Sequence, residues 1–145
     1  MRYVIAALFA IAFTLATTTG DAFAKPADVC KMVSANDTRA WFGKELSVSE
    51  DYLDKPQSSQ CTWDSKREGA GFLMVQIVPA RYYEPHRGAD YTPLSGIGDK
   101  AFFVTDLGFL ASAVKGSKAI AITLRGGSST RATAISALKM LVRKM

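Results

Sequence analysis

The run FLMVQIV, Phe72 to Val78, is apolar at odd and even positions alike, with Gln76 the one polar residue. Side chains alternate between the two faces of a strand, so a strand with one wet face reads apolar-polar-apolar. This run does not alternate, and it predicts a strand internal to a sheet and covered on both faces. Pro79, which has no N–H to give a ladder, is expected to end it.

The residues downstream of it predict a meander. Lys100 to Val104, Phe109 to Lys115 and Lys118 to Leu124 read as strands, with Thr105 to Gly108 as a turn and Gly116-Ser117 as a two-residue hairpin turn. Ile120, Ile122 and Leu124 share one face of the last strand. Gly126-Gly127 breaks the pattern, and Ser128 or Ser129 is expected to cap a helix running to Met145. In that helix Ala134, Ile135, Leu138, Leu141, Val142 and Met145 fall at helical spacing, with Arg131, Lys139, Arg143 and Lys144 mostly off the stripe.

Upstream, Gln60 to Asp64 (QCTWD) predicts a short strand that places Cys61 and Trp63 on one face. Glu45 to Val48 reads as a further short strand and Ser49 to Ser58 as loop. Pro26 to Gly43 reads as helical: Ser34 with Asp37 three residues on resembles a capping box, and Gly43 is a natural stop. Lys66 to Gly71 is a turn, and Leu94 to Asp99 (LSGIGD) is glycine-rich and turn-like. The sum is α+β: an antiparallel sheet of about five to six strands flanked by an N-terminal and a C-terminal helix. One helix on each face would account for the two apolar faces of residues 72–78.

The N-terminal region reads as an address. Arg2 is followed by the apolar run Val4 to Ala16, a polar stretch, and Ala22-Phe23-Ala24, which fits the small-residue pattern cut by a signal peptidase. Residues 1–24 are therefore expected to be a cleaved signal, and residues 25–145 one mature domain. The apolar run is shorter than the roughly 20 residues a transmembrane helix needs, and no cysteine stands just behind it for lipid attachment. The expected product is periplasmic or secreted. Cys30 and Cys61, both in the mature part, then read as a disulfide, since such a compartment is oxidising and their spacing is unlike the C-x-x-C of a redox pair.

The formal net charge is +5, and Arg2 and Asp21 cancel, so the mature chain keeps it. The last acidic residue is Asp106. After it stand Lys115, Lys118, Arg125, Arg131, Lys139, Arg143 and Lys144. A basic surface attracts nucleic acid, anionic lipid or anionic wall polymer. Export and the lack of a nucleic-acid motif exclude the first, leaving an envelope protein or an anionic cell-wall component as partner. The same charges also serve a solvated helix face.

Motifs that carry chemistry are sparse. His86 is the only histidine, too few for a histidine-based metal site, and there is no HExxH, no GxSxG and no calcium-loop pattern. The sequence predicts no catalytic, cofactor-binding or metal-ligating residue. Gly96-Ile97-Gly98 lacks the third glycine and the strand-to-helix context of a phosphate loop, and reads as a structural turn. Asp99 and Asp106 are a conceivable carboxylate pair. The richest candidate binding surface is Arg81, Tyr82, Tyr83, His86, Arg87 and Tyr91, tyrosine and arginine being the residue types of binding hot spots. The plainer reading is that those tyrosines pack their rings on the sheet and leave their hydroxyls in water. The leading expectation is a non-enzymatic envelope binding protein. The alternative, from another class, is a small periplasmic hydrolase or inhibitor-like module using His86.

Three features taken together resemble a known pattern: Cys30 in an N-terminal helix paired with a Cys61-x-Trp63 strand, the turn Gly96-Ile97-Gly98-Asp99-Lys100-Ala101-Phe102 into a strand, and a short meander before a C-terminal helix. The chain is similar in these, over about Val29 to Leu141, to small secreted or lipoprotein bacterial domains of unknown function, some of them like the Mog1/PsbP group in fold. The resemblance implies the disulfide and an antiparallel sheet flanked by helices. It implies no catalytic residues.

Overall fold

A computed structural model describes residues 28–51, 57–65, 71–83, 90–106 and 108–145. The expected signal and its cleavage site before Lys25 lie outside these residues, as do residues 66–70 of the expected turn. The elements in order are a 3-10 turn (Val29–Lys31), α1 (Ala35–Phe42), β1 (Ser47–Asp51), β2 (Ser59–Asp64), β3 (Phe72–Pro79), a second 3-10 turn (Ala80–Tyr82), β4 (Thr92–Leu94), β5 (Lys100–Asp106), β6 (Gly108–Lys115), β7 (Lys118–Arg125) and α2 (Arg131–Lys144). The strands form one antiparallel sheet in the order β1-β2-β3-β7-β6-β5-β4. The class is α+β, with seven strands where the sequence reading expected five to six.

As expected, β3 is internal, with β2 on one side and β7 on the other. Its register sets the core: Leu73, Val75 and Ile77 lie opposite Leu124, Ile122 and Ile120 of β7, which lie opposite Phe109, Ala111 and Ala113 of β6. These side chains share one face and form a single apolar cluster with Cys61, Trp63, Phe103 and the inward stripe of α2, namely Ala134, Ala137, Leu138, Leu141 and Val142. Fully burying one such leucine contributes roughly 2 kcal/mol. Alanine on both sides, Ala111 and Ala113 of β6 against Ala134 and Ala137 of α2, leaves room for the helix to approach the sheet.

Both helices lie on this same face, not one on each. Val29, Val33 and Phe42 belong to the same cluster as the α2 stripe. The Lys144 ammonium donates to the Met32 carbonyl at 2.6 Å, and the Ser128 hydroxyl donates to the Trp41 carbonyl at 3.2 Å. The expected cover on the other face of residues 72–78 is therefore not a helix, and Phe72, Met74, Gln76 and Val78 on that face are only half-buried.

Local signals account for most boundaries. The capping box is present: Asp37 N–H donates to Ser34 Oγ at 3.2 Å, and Ser34 N–H donates to Asp37 Oδ2 at 2.8 Å. It starts α1 at Ala35, so the helical reading of residues 26–43 shortens to a 3-10 turn and an eight-residue helix. Gly43 ends α1 with φ of 74°, the left-handed geometry glycine adopts without penalty. The strand expected at Glu45 to Val48 begins later, at Ser47, and runs to Asp51 through the start of the expected loop, with Leu46 before it buried in the core. Pro79 closes β3 as its last residue, opposite Lys118. Gly116-Ser117 is the two-residue link between β6 and β7, with Lys115 opposite Lys118. The cap of α2 is Thr130, not Ser128 or Ser129: its hydroxyl accepts from Thr133 N–H at 3.1 Å, while Ser129 donates instead to the Gly126 carbonyl at 2.6 Å.

Candidate functional site

Strand order determines where the Arg81 to Tyr91 segment goes. β3 ends beside the β6–β7 hairpin, yet β4 pairs with β5 at the far edge of the sheet. The chain must cross β7, β6 and β5 to reach it. The described ends of the segment, Tyr83 and Tyr91, lie on the face turned away from the helices, where Phe102 points. The Tyr83 and Tyr91 rings stand 5.8 Å and 5.4 Å from the Phe102 ring, centroid to centroid. Phe102, Val104, Ser112 and Ala119 on this outer face are all buried although none belongs to the helix-side core. Burial, reinforced by the neighbouring Tyr91, pushes the Tyr83 phenol up from the ordinary 10.0 to about 12.

Two of the three tyrosines thus pack their rings on the sheet, though the Tyr83 hydroxyl is drawn in with its ring and not left in water. Arg81 is exposed and its guanidinium lies 4.8 Å from the centre of the Tyr82 ring, a contact worth about 0.5–1 kcal/mol where water has access. Tyr91 keeps 39% of its surface in water. His86 and Arg87 lie outside the described residues. The four described residues of the six are accordingly split between an Arg81–Tyr82 stack and a Tyr83–Tyr91–Phe102 cluster.

Cys30 and Cys61 are joined, with their Cα atoms 5.2 Å apart. The bond ties the first 3-10 turn to β2, and no free thiol remains among the described residues. The backbone keeps the two aspartates of the conceivable pair apart: Asp99 precedes β5 and Asp106 ends it, roughly 24 Å away along one strand at 3.4 Å per residue. Among the described residues no group of three or more His, Cys, Asp or Glu could hold a metal ion.

A cleft of about 440 Å³ opens where the turn before β5 meets the last turns of α2. The Gly-Ile-Gly sequence is indeed a structural turn. Ile97 is buried in the core cluster, and Gly98, at φ of 58°, passes so close to the Val114 carbonyl that a Cβ would sit 2.2 Å from its oxygen. The turn is pinned by Asp99 N–H donating to the Val114 carbonyl at 2.7 Å and by Gly116 N–H donating to Asp99 Oδ2 at 2.7 Å. Its exposed backbone forms one wall of the cleft. Lys115, Lys139, Val142 and Arg143 form the other.

The charges in the cleft are unevenly engaged. The Lys115 ammonium donates to the Val142 carbonyl at 2.9 Å, satisfying one of the carbonyls a helix C-terminus leaves without an internal partner. Lys139 and Arg143 are exposed, one helical turn apart, and make no hydrogen bond or ion pair among the described residues. Sequence reasoning grouped Lys139 and Arg143 with the basic helix face but missed their meeting with Lys115 and the glycine turn. Their spacing was the available signal; the β5–β6 register that brings Lys115 to them was not.

Among the described residues no helix is long and apolar enough to cross a membrane. Comparison with protein-family models, with curated proteins and with solved structures finds no match to this chain.

Proposed function

We propose that this is an exported, non-enzymatic domain of the cell envelope that binds an anionic partner, an acidic protein surface or an anionic polymer, through its basic C-terminal third. One observation carries this reading. Of the seven cations after Asp106, none forms a salt bridge with a carboxylate among the described residues; the two ion pairs found, Lys31–Asp28 and Arg39–Glu45, are both N-terminal. Lys115 and Lys144 are held by backbone carbonyls, and Arg125 and Arg131 lie 5.7 Å and 4.9 Å from the Phe72 and Phe103 ring centres. Lys118, Lys139 and Arg143 are exposed and without such contacts. A field of one sign that the fold does not neutralise internally raises the local concentration of counter-ions and of any polyanion.

The disulfide fits the oxidising compartment that the N-terminal signal predicts. The test takes the processed protein recovered from the periplasm or medium of expressing cells. Its first residue should be Lys25, and it should bind poly-glutamate or isolated cell-wall polymer with an affinity that falls steeply as salt is raised. Absence of binding, or binding indifferent to salt, would overturn the reading.

A further inference from the structure

The geometry points to a phosphate-ester site in the cleft between the Gly96–Asp99 turn and α2, with Lys139 and Arg143 as its clamps. This rests on the anion-binding reading above and narrows it to one pocket and one chemistry. The cleft is concave, and its volume of about 440 Å³ lies in the roughly 300–1,000 Å³ range of small-molecule sites. It has room for a phosphate together with the polyol it esterifies.

Charge selects the ligand. Lys115, Lys139 and Arg143 oppose a single carboxylate, Asp99, which is held against the hairpin by the Gly116 N–H. The formal balance of the lining is three cations against one anion. A phosphomonoester carries roughly −1.5 to −2 at neutral pH and matches that balance, where a carboxylate or phosphodiester brings only one charge. The negative end of the α2 dipole works against an anion here. Lys115 offsets it by bonding the Val142 carbonyl directly.

The clamp is also poised at a cost to the free protein. Like charges four residues apart on a helix repel, and neither Lys139 nor Arg143 recovers that cost through a partner among the described residues. A bound oxyanion reverses the sign of the interaction. The planar guanidinium of Arg143 can engage two phosphate oxygens at once, and the Lys139 ammonium supplies a point charge beside it. Val142, which lines the cleft between them in sequence, offers an apolar surface to the carbon part of the ester.

The test is calorimetric titration of the processed full-length export product with glycerol phosphate, inorganic phosphate, acetate and poly-glutamate. Glycerol phosphate should bind more tightly than acetate, and its affinity should rise between about pH 5 and pH 7 as the ester takes its second charge. The double variant Lys139→Gln/Arg143→Gln should lose at least tenfold in affinity, and Arg143→Lys several-fold. Arg39→Gln/Lys44→Gln, which removes the same charge elsewhere, should bind as the parent does. Equal loss in both double variants would overturn the site. So would a parent protein that binds poly-glutamate but not glycerol phosphate, which leaves the broader anion-binding reading standing. A parent that binds neither overturns both.

Discussion

The two faces of β3 are closed by different means. Leu73, Val75 and Ile77 point toward α1 and α2 and are sealed, each exposing 3% of its surface or less. Phe72, Met74, Gln76 and Val78 point the other way and are only half-buried. Further along the sheet that outer face does close at Phe102, beneath the rings of Tyr83 and Tyr91 and not beneath a helix. The apolar run correctly reports an internal strand with one sealed face and one face partly kept from water. It does not report whether a helix or a crossing segment does the covering, because transfer free energy depends on area removed from water and not on what removes it.

Truncation should separate the faces by size of effect. Leu141→Ala, whose side chain is fully buried on the helix side, should cost up to about 5 kcal/mol in denaturant unfolding, through lost transfer energy and the cavity left in a packed core. Reducing the disulfide, or Cys30→Ser/Cys61→Ser, should cost about 3–4 kcal/mol by freeing the closed segment in the unfolded chain. Mass spectrometry of the exported protein should find no free thiol before reduction. Met74→Ala on the outer face should cost only about 1 kcal/mol, since its side chain is already half in water. A Met74 value equal to that of Leu141 would break the comparison.

The smallest effect is a pH dependence confined to the outer face. The fold favours the neutral Tyr83 phenol, whose pKa is raised from 10.0 to about 12 by burial and by Tyr91. Its contribution to stability is therefore intact below pH 10 and is lost as pH climbs toward 12. Tyrosinate absorbance should show a late-titrating component that is absent in Tyr83→Phe, and that variant should lose less stability than the parent over the same window.

What the sequence made legible was local or paired by chemistry. The Ser34–Asp37 box, Gly43, the Gly116-Ser117 turn, the α2 stripe and the cysteine pair each depend on a few neighbouring residues or on compartment. β4 was missed because it has three residues with Pro93 at its centre, and proline signals against a strand unless the strand is at an edge, as this one is. The side taken by each helix was not legible, since either sheet face could have received an apolar stripe. The candidate site divided the same way: the tyrosine-rich segment was visible as composition, whereas the cleft exists only once β5, β6 and α2 have come together.

The pairing of β3 with β7 has a kinetic consequence. β1 to β3 form one run of sequence neighbours and β4 to β7 another, so each can zip from short hairpins within microseconds. The β3–β7 ladder instead joins Phe72 to Arg125 and Pro79 to Lys118, contacts that must overcome the entropy of closing everything between them. That seam is expected to be the slow step, so that Ile122→Val slows refolding while a change in the Gly116–Ser117 hairpin hardly does. A refolding rate insensitive to Ile122 would place the barrier elsewhere. Until the seam forms, each half-sheet presents an unpaired apolar edge, and residues 72–79 are the stretch most exposed to association with another chain.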